Sequence, residues 1–177
     1  GTQQAIQYIE AHQAAVSHPY VLAMVANALV EASLAGGGTL SPSAEDALAR
    51  LAEASKREGE NVYWSSGVSS YMGGQGPTAD IETTAMAALA FLRAGRYAEL
   101  ADGALQYLVQ AKDENGAWHT TLPTVMALQA LLESTRAGSE LVDAQVSILL
   151  DGVQVGQVRV NRENFDVVQL VSLADLP

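Results

Sequence analysis

The chain has 177 residues, a formal net charge of −11 and no cysteine, which suits one domain, or one domain with part of another. The acidity argues against nucleic acid and against anionic membrane surfaces, both of which are bound through Lys and Arg. The missing cysteines exclude disulfides, thiolate metal sites and cysteine nucleophiles within these residues, while 49% apolar content with 6% aromatics favours closely packed helices rich in alanine.

The opening stretch, GTQQAIQYIEAHQ, has no basic region followed by an apolar core, so it does not read as a signal peptide. Residues 2–15 instead read as an amphipathic helix, with Ala5, Ile6 and Ile9 facing inward and Gln3, Gln7, Glu10 and Gln13 facing out. Residues 19–34, PYVLAMVANALVEASL, are apolar nearly all round, as expected of a helix enclosed by protein. Pro19 suits the first turn, and Gly36, Gly37 and Gly38 end it.

The alternation then recurs. Residues 43–57 place Ala44, Leu48, Leu51 and Ala52 on one face, and Ser43 with Asp46 resembles a capping pair. A Gly/Ser-rich stretch, SSGVSSYMGGQGPT over 65–78, follows Trp64 and reads either as a slack connector or as a loop that carries function. Residues 79–94 form a second apolar helix that Thr78 can cap, with Asp80 and Glu82 suited to its positive start. An amphipathic helix over 97–111 turns Leu100, Ala104, Leu105 and Leu108 inward. After DENGAWHTT comes a third apolar helix over 122–134, with Pro123 in its first turn behind Thr120 or Thr121.

The order outer, inner, outer, inner, outer, inner predicts three helical hairpins whose second helices are enclosed. Two concentric helix layers, an α/α toroid, satisfy this best, because a flat solenoid would leave each inner helix wet on one face. The fold class expected is therefore mainly α, three helical hairpins of a toroid over residues 1–138, with a short antiparallel β segment over 139–177. In that tail AQVSILLDGVQVGQVRVN alternates around a turn at Asp151–Gly152, and residues 165–173 read as a third strand.

Motifs for chemistry are sparse. His12 and His18 flank a turn and His119 is distant in sequence, with no HExxH or acidic cluster, so no metal site is expected. Gly36–Gly38 follow a helix rather than a strand, and the glycines of 73–76 precede no Lys, so no phosphate loop and no cofactor is expected. A G-x-S-x-G elbow is absent. The weak binding candidates are Trp64, Trp118 and His119. For Trp118 the favoured reading is a structural plug that closes the turn between the last two helices.

Four stretches together resemble the thioester-containing domain of the alpha-2-macroglobulin and complement family. They are PYVLAMVANAL (19–29), ALARLAEAS with YWSS (47–55 and 63–66), DIETTAMAALAFL (80–92) and YLVQAKDENGAWHTTLPTVMALQALL (107–132). The resemblance covers roughly residues 3–135 and implies an α/α toroid, of which three hairpins would be about half, the C-terminal half. VSILLDG in the tail resembles the strand that re-enters the family's CUB-like β domain. The family's reactive group is an internal thioester between Cys and Gln in a GCGEQ-like motif, which some members supplement with a His. No such motif is present, and none of His12, His18 or His119 matches that His, so no catalytic residue carries over.

The resemblance implies a non-catalytic, structural or binding portion of a parent that traps proteases or tags surfaces. Partners would be proteases or cell-surface targets met through that parent, in an extracellular or periplasmic setting. Membrane insertion is not expected, and an open half-toroid makes a homodimer of the fragment possible. The competing reading is an α/α toroid enzyme, a terpene cyclase or prenyltransferase, whose repeat is echoed by Gln110 and Gly116-Ala117-Trp118. Against it stand too few aromatics and the lack of a DxDD-like acid or a zinc-binding Cys.

Overall fold

A computed structural model describes residues 1–70, 73–141, 144–150 and 153–160. The chain divides into two compact units, one spanning Gly1–Ser134 and one beginning at Thr135. The chain order is α1 (Thr2–His12), a single 3-10 turn (Gln13–Ala15), α2 (Pro19–Ala35), α3 (Pro42–Glu53), β1 (Lys56–Glu58), β2 (Asn61–Tyr63), α4 (Pro77–Ala94), α5 (Ala98–Gln110), α6 (Thr121–Leu141), β3 (Ala144–Leu150) and β4 (Val153–Val160). The division between the units falls within α6. The helices form successive outer–inner hairpins, a partial α/α toroid.

α4 is the centre of the first unit. Alanines at 79, 85, 87, 88 and 90 let neighbouring backbones come close, and Ile81 and Phe91 fill what remains. Each large apolar side chain fully enclosed here contributes about 1.5–3 kcal/mol relative to exposure. α4 packs on α2 and α5, and α2 packs on α3. Two polar ties fix α2 parallel to α4. Asn27 Nδ2 donates to Met86 O at 2.8 Å, and the Arg93 guanidinium lies 2.5 Å from Glu31 of α2. Arg93 also reaches Glu133 of α6, at 3.6 Å, so one cation links all three inner helices. α4 stops at Gly95, whose φ of 60° closes the last turn.

Burial of the inner helices is unequal, which corrects the expectation of three enclosed ones. Twelve residues of α4 are buried. α2 exposes Val21 (39%), Met24 (45%) and Leu34 (39%). α6 buries Ala127 and Ala130 but exposes Val125 (43%), Leu128 (47%) and Leu132 (64%), no better covered than the outer helices. The reason is position: α4 packs on α2 and α5 and is tied to α6 through Arg93 and Glu133, whereas α2 and α6 are each tied to one inner helix, α4.

Several local expectations also change. α1 has no buried residue; Ile6 and Ile9 are half-buried and Ala5 is exposed. The cap of α3 is Ser41, whose Oγ accepts from Ala44 N at 3.2 Å, and not Ser43. α4 starts at Pro77 behind Gly76, so Thr78 lies inside it. The outer helix expected to reach residue 57 stops at Glu53, because Lys56–Glu58 pairs antiparallel with Asn61–Tyr63. This small hairpin lies against α5, where Gly103 leaves room for it: a Cβ there would sit 2.5 Å from Val62 Cγ2 and 2.9 Å from Glu60 O.

In the second unit β3 pairs antiparallel with β4, with an irregularity between Ile148 and Leu149. The turn at Asp151–Gly152 and the strand expected over 165–173 lie outside the described residues.

Candidate functional site

Trp64 and Trp118 occupy equivalent places in successive hairpins. Trp64 is fully buried, and its Nε1 donates to Leu51 O, in the last turn of α3, at 2.6 Å. Trp118 is 1% exposed, and its Nε1 donates to Leu108 O, in the last turn of α5, at 2.7 Å. The backbone N–H groups match as well: Trp64 donates to Thr84 Oγ1 of α4 at 3.1 Å, and Trp118 to Thr124 Oγ1 of α6 at 3.2 Å. Each tryptophan thus joins the end of an outer helix to the inner helix that follows. The Lys112 ammonium lies 5.2 Å from the Trp118 ring centroid. Neither indole offers a face to a ligand.

His119 stands apart from both rings. It is exposed, with a φ of 59°, at the end of a tight turn. Asp113 organises that turn, its Oδ1 accepting from Asn115 N at 2.9 Å and Ala117 N at 3.0 Å. Chiefly the Ala117 N–H, with those of Asn115 and His119, holds the Asp113 carboxyl below its ordinary range. His12 is exposed and stacks on Tyr8, its ring N–H donating to Tyr8 O at 2.7 Å. His18 is exposed ahead of α2. The three histidines come together nowhere, and no group of three or more His, Asp or Glu able to hold a metal occurs among the described residues.

The Gly/Ser-rich stretch is not slack where it is described. Ser66 and Ser70 are buried. Ser66 N donates to Asp80 Oδ1 at 2.8 Å, and its hydroxyl bonds Val68 O. Ser70 N donates to Gly74 O at 2.8 Å, Gly74 N donates back to Ser70 Oγ at 2.9 Å, and Ser70 bonds the Glu82 carboxyl. Asp80 and Glu82, expected only to complement the helix dipole, therefore hold the stretch on α4. Between stretch and helix lies an open groove of about 460 Å³, lined by Ser65, Ser66, Ser69, Gln75 and Asp80 among others. Tyr63 and Tyr107 stack at 5.3 Å. Burial, then the negative charge of Asp80, pushes the Tyr107 phenol up. Ser66, Ser70, Asp80 and Glu82 are the site residues that composition concealed. The two carboxylates were visible, but no periodicity signals a serine such as Ser66 that folds back onto a partner 14 residues along the chain.

The cyclase-like echo resolves structurally. Gln110 Oε1 accepts from Asn61 Nδ2 at 2.7 Å, and Trp118 is enclosed, so neither lines a cavity.

A family model, the A-macroglobulin TED domain, matches residues 1–134. The chain belongs to that family. The matched stretch coincides with the first compact unit of the chain, Gly1–Ser134. The tryptophan ties, the stretch pinned by Asp80 and Glu82, and the unequal inner helices are therefore features of a thioester-containing-domain fold in which this stretch contains no cysteine. No described helix is long and apolar enough to cross a membrane.

Proposed function

We propose that this chain supplies the C-terminal portion of the toroid in the thioester-containing domain of an alpha-2-macroglobulin-like protein, as scaffold and not as catalyst. The observation that carries the reading is the asymmetry of the inner helices. α4 is closed on both sides, while α2 and α6 each present an apolar stripe: Val21 and Met24 on one, Val125, Leu128 and Leu132 on the other. Soluble proteins rarely leave such faces bare. Further inner helices of a longer toroid would cover them.

On this reading the thioester, where the parent has one, lies outside these residues. The β3–β4 pair marks the return of the chain into a CUB-like β domain. Trapping of proteases or tagging of surfaces belongs to the parent, outside the cell or in the periplasm, and its partners are proteins, not nucleic acid or lipid. Expressed alone, the chain pairs with a second copy through the same two edges, the α2 stripe of one meeting the α6 stripe of the other.

The test is to identify by mass spectrometry the natural polypeptide that contains this sequence, and to incubate residues 1–177 with a labelled amine. The expected result is a polypeptide that continues upstream through further helical hairpins, and an isolated chain that keeps its unlabelled mass. A natural polypeptide beginning at Gly1, or an amine adduct on the isolated chain, contradicts the proposal.

A further inference from the structure

Glu82 is the sixth residue of α4 and is 2% exposed. One of its carboxyl oxygens bonds Ser70; the other, Oε2, is buried with no partner. Above it the described parts of the Ser/Gly stretch close tightly. A Cβ on Gly74 would lie 2.8 Å from Glu82 Oε1 and 2.8 Å from Ser70 Oγ, so a side chain there would displace one or both of them. The chain Gly74 N–H to Ser70 Oγ–H to Glu82 Oε1 is one continuous run of hydrogen bonds.

A buried carboxylic acid and a buried carboxylate behave differently in such a place. The acid leaves one weakly polar group without a partner; the anion leaves a full charge without solvation. Among the described residues nothing nearby offsets that charge. On α4 itself the closest ionisable neighbour is Asp80, another acid. Its cation, Arg93, is about 16 Å further along the helix and engaged by Glu31 and Glu133. The elements packed on α4 contribute the phenols of Tyr20 on α2, Tyr63 on β2 and Tyr107 on α5. The charged residues of the small hairpin, Lys56, Arg57 and Glu58 of β1 and Glu60 of its turn, are exposed, and Glu60 is bonded by Gln106. From α3, Arg50 is spent on Gln13 O, Val16 O and Asp46.

We propose that Glu82 is a proton-operated latch for the stretch that forms one wall of the hydroxyl-lined groove. Protonated, it keeps Ser70 and Gly74 seated on α4. Ionised, it draws water to Oε2, and Ser70 and Gly74 lift, reshaping the groove beside Ser66 and Asp80. Burial pushes the Glu82 carboxyl above its ordinary value, in keeping with this geometry. The sign follows: the folded state holds the proton more tightly than the unfolded chain. Seating is complete below the unfolded pKa and is lost as pH rises through the folded one.

The experiment is amide hydrogen exchange on the full chain from pH 4 to 8, read as protection factors at Ser70, Gly73 and Gly74. In the native chain, protection at these amides should fall about tenfold or more as pH rises, while Leu89 and Phe91 in the centre of α4 stay constant. Glu82→Gln should hold the protection at every pH, and Ser70→Ala should lose it at every pH. Flat protection in the native chain, or the same fall in Glu82→Gln, overturns the proposal. Should Glu82→Gln not fold, the Glu82 carboxyl is followed by carbon NMR in the native chain. A midpoint above 4.5 that coincides with the exchange transition supports the latch, and any other midpoint overturns it.

Discussion

Trp118 Nε1 donates to the carbonyl of Leu108 at 2.7 Å, across the turn that separates α5 from α6. The bond satisfies a carbonyl in the last turn of α5 that has no partner further along its helix, and it places the indole where both helices bury it. Trp64 and Leu51 repeat the relationship one hairpin earlier.

Trp118→Ala should therefore destabilise the chain by about 3 kcal/mol or more. Trp118→Phe should recover part of this loss, because the ring volume returns while the Leu108 carbonyl stays without its donor. Urea denaturation checks both. A loss under roughly 0.5 kcal/mol for the alanine variant would show that the ring is not enclosed.

Gly103→Ala should destabilise by about 1–3 kcal/mol through overpacking, because the new Cβ meets Val62 Cγ2 and the Glu60 carbonyl. The usual gain on replacing glycine in a helix, about 1 kcal/mol, opposes this. The combination with Val62→Ala should recover little, since the Glu60 backbone remains in the way. A Gly103→Ala variant more stable than the parent would show that the β1–β2 hairpin yields freely.

The turn at Asp113 should respond to pH in the opposite sense from Glu82. The Asp113 carboxyl is held low by the N–H groups it accepts from, so its contribution is present above the unfolded pKa and lost as pH falls through the folded one. Amide shifts of Asn115 and Ala117 should stay constant from neutrality down to the ordinary carboxylate range and move only below it. Asp113→Asn should remove that transition. Persistence of the transition in Asp113→Asn would mean that a group other than Asp113 governs the turn.

Helix periodicity made the hairpin order readable, since the apolar runs from Pro19, Ala79 and Leu122 differ plainly from the striped helices between them. It could not grade the inner helices. Leu128 and Ala88 both read as core, but only Ala88 has a helix on each side, and the number of neighbours is a tertiary property. The burial of Trp118 was legible from one large ring beside a tight turn. The pinned stretch was not: Ser66 and Ser70 carry the composition of a linker, and their partners Asp80 and Glu82 lie beyond an intervening glycine run. Ser41 and Ser43 carry equally good hydroxyls two residues apart, and only the folded backbone shows which of them caps α3.

The central claim is that α2 and α6 are open edges of an incomplete ring, and light scattering of the purified chain across micromolar concentrations tests it most directly. The account predicts a concentration-dependent dimer of the 18.6 kDa chain that Leu128→Glu together with Leu132→Glu converts to a monomer. A parent chain that stays monomeric and binds no hydrophobic dye would contradict it, because the stripes would then be covered within a single copy.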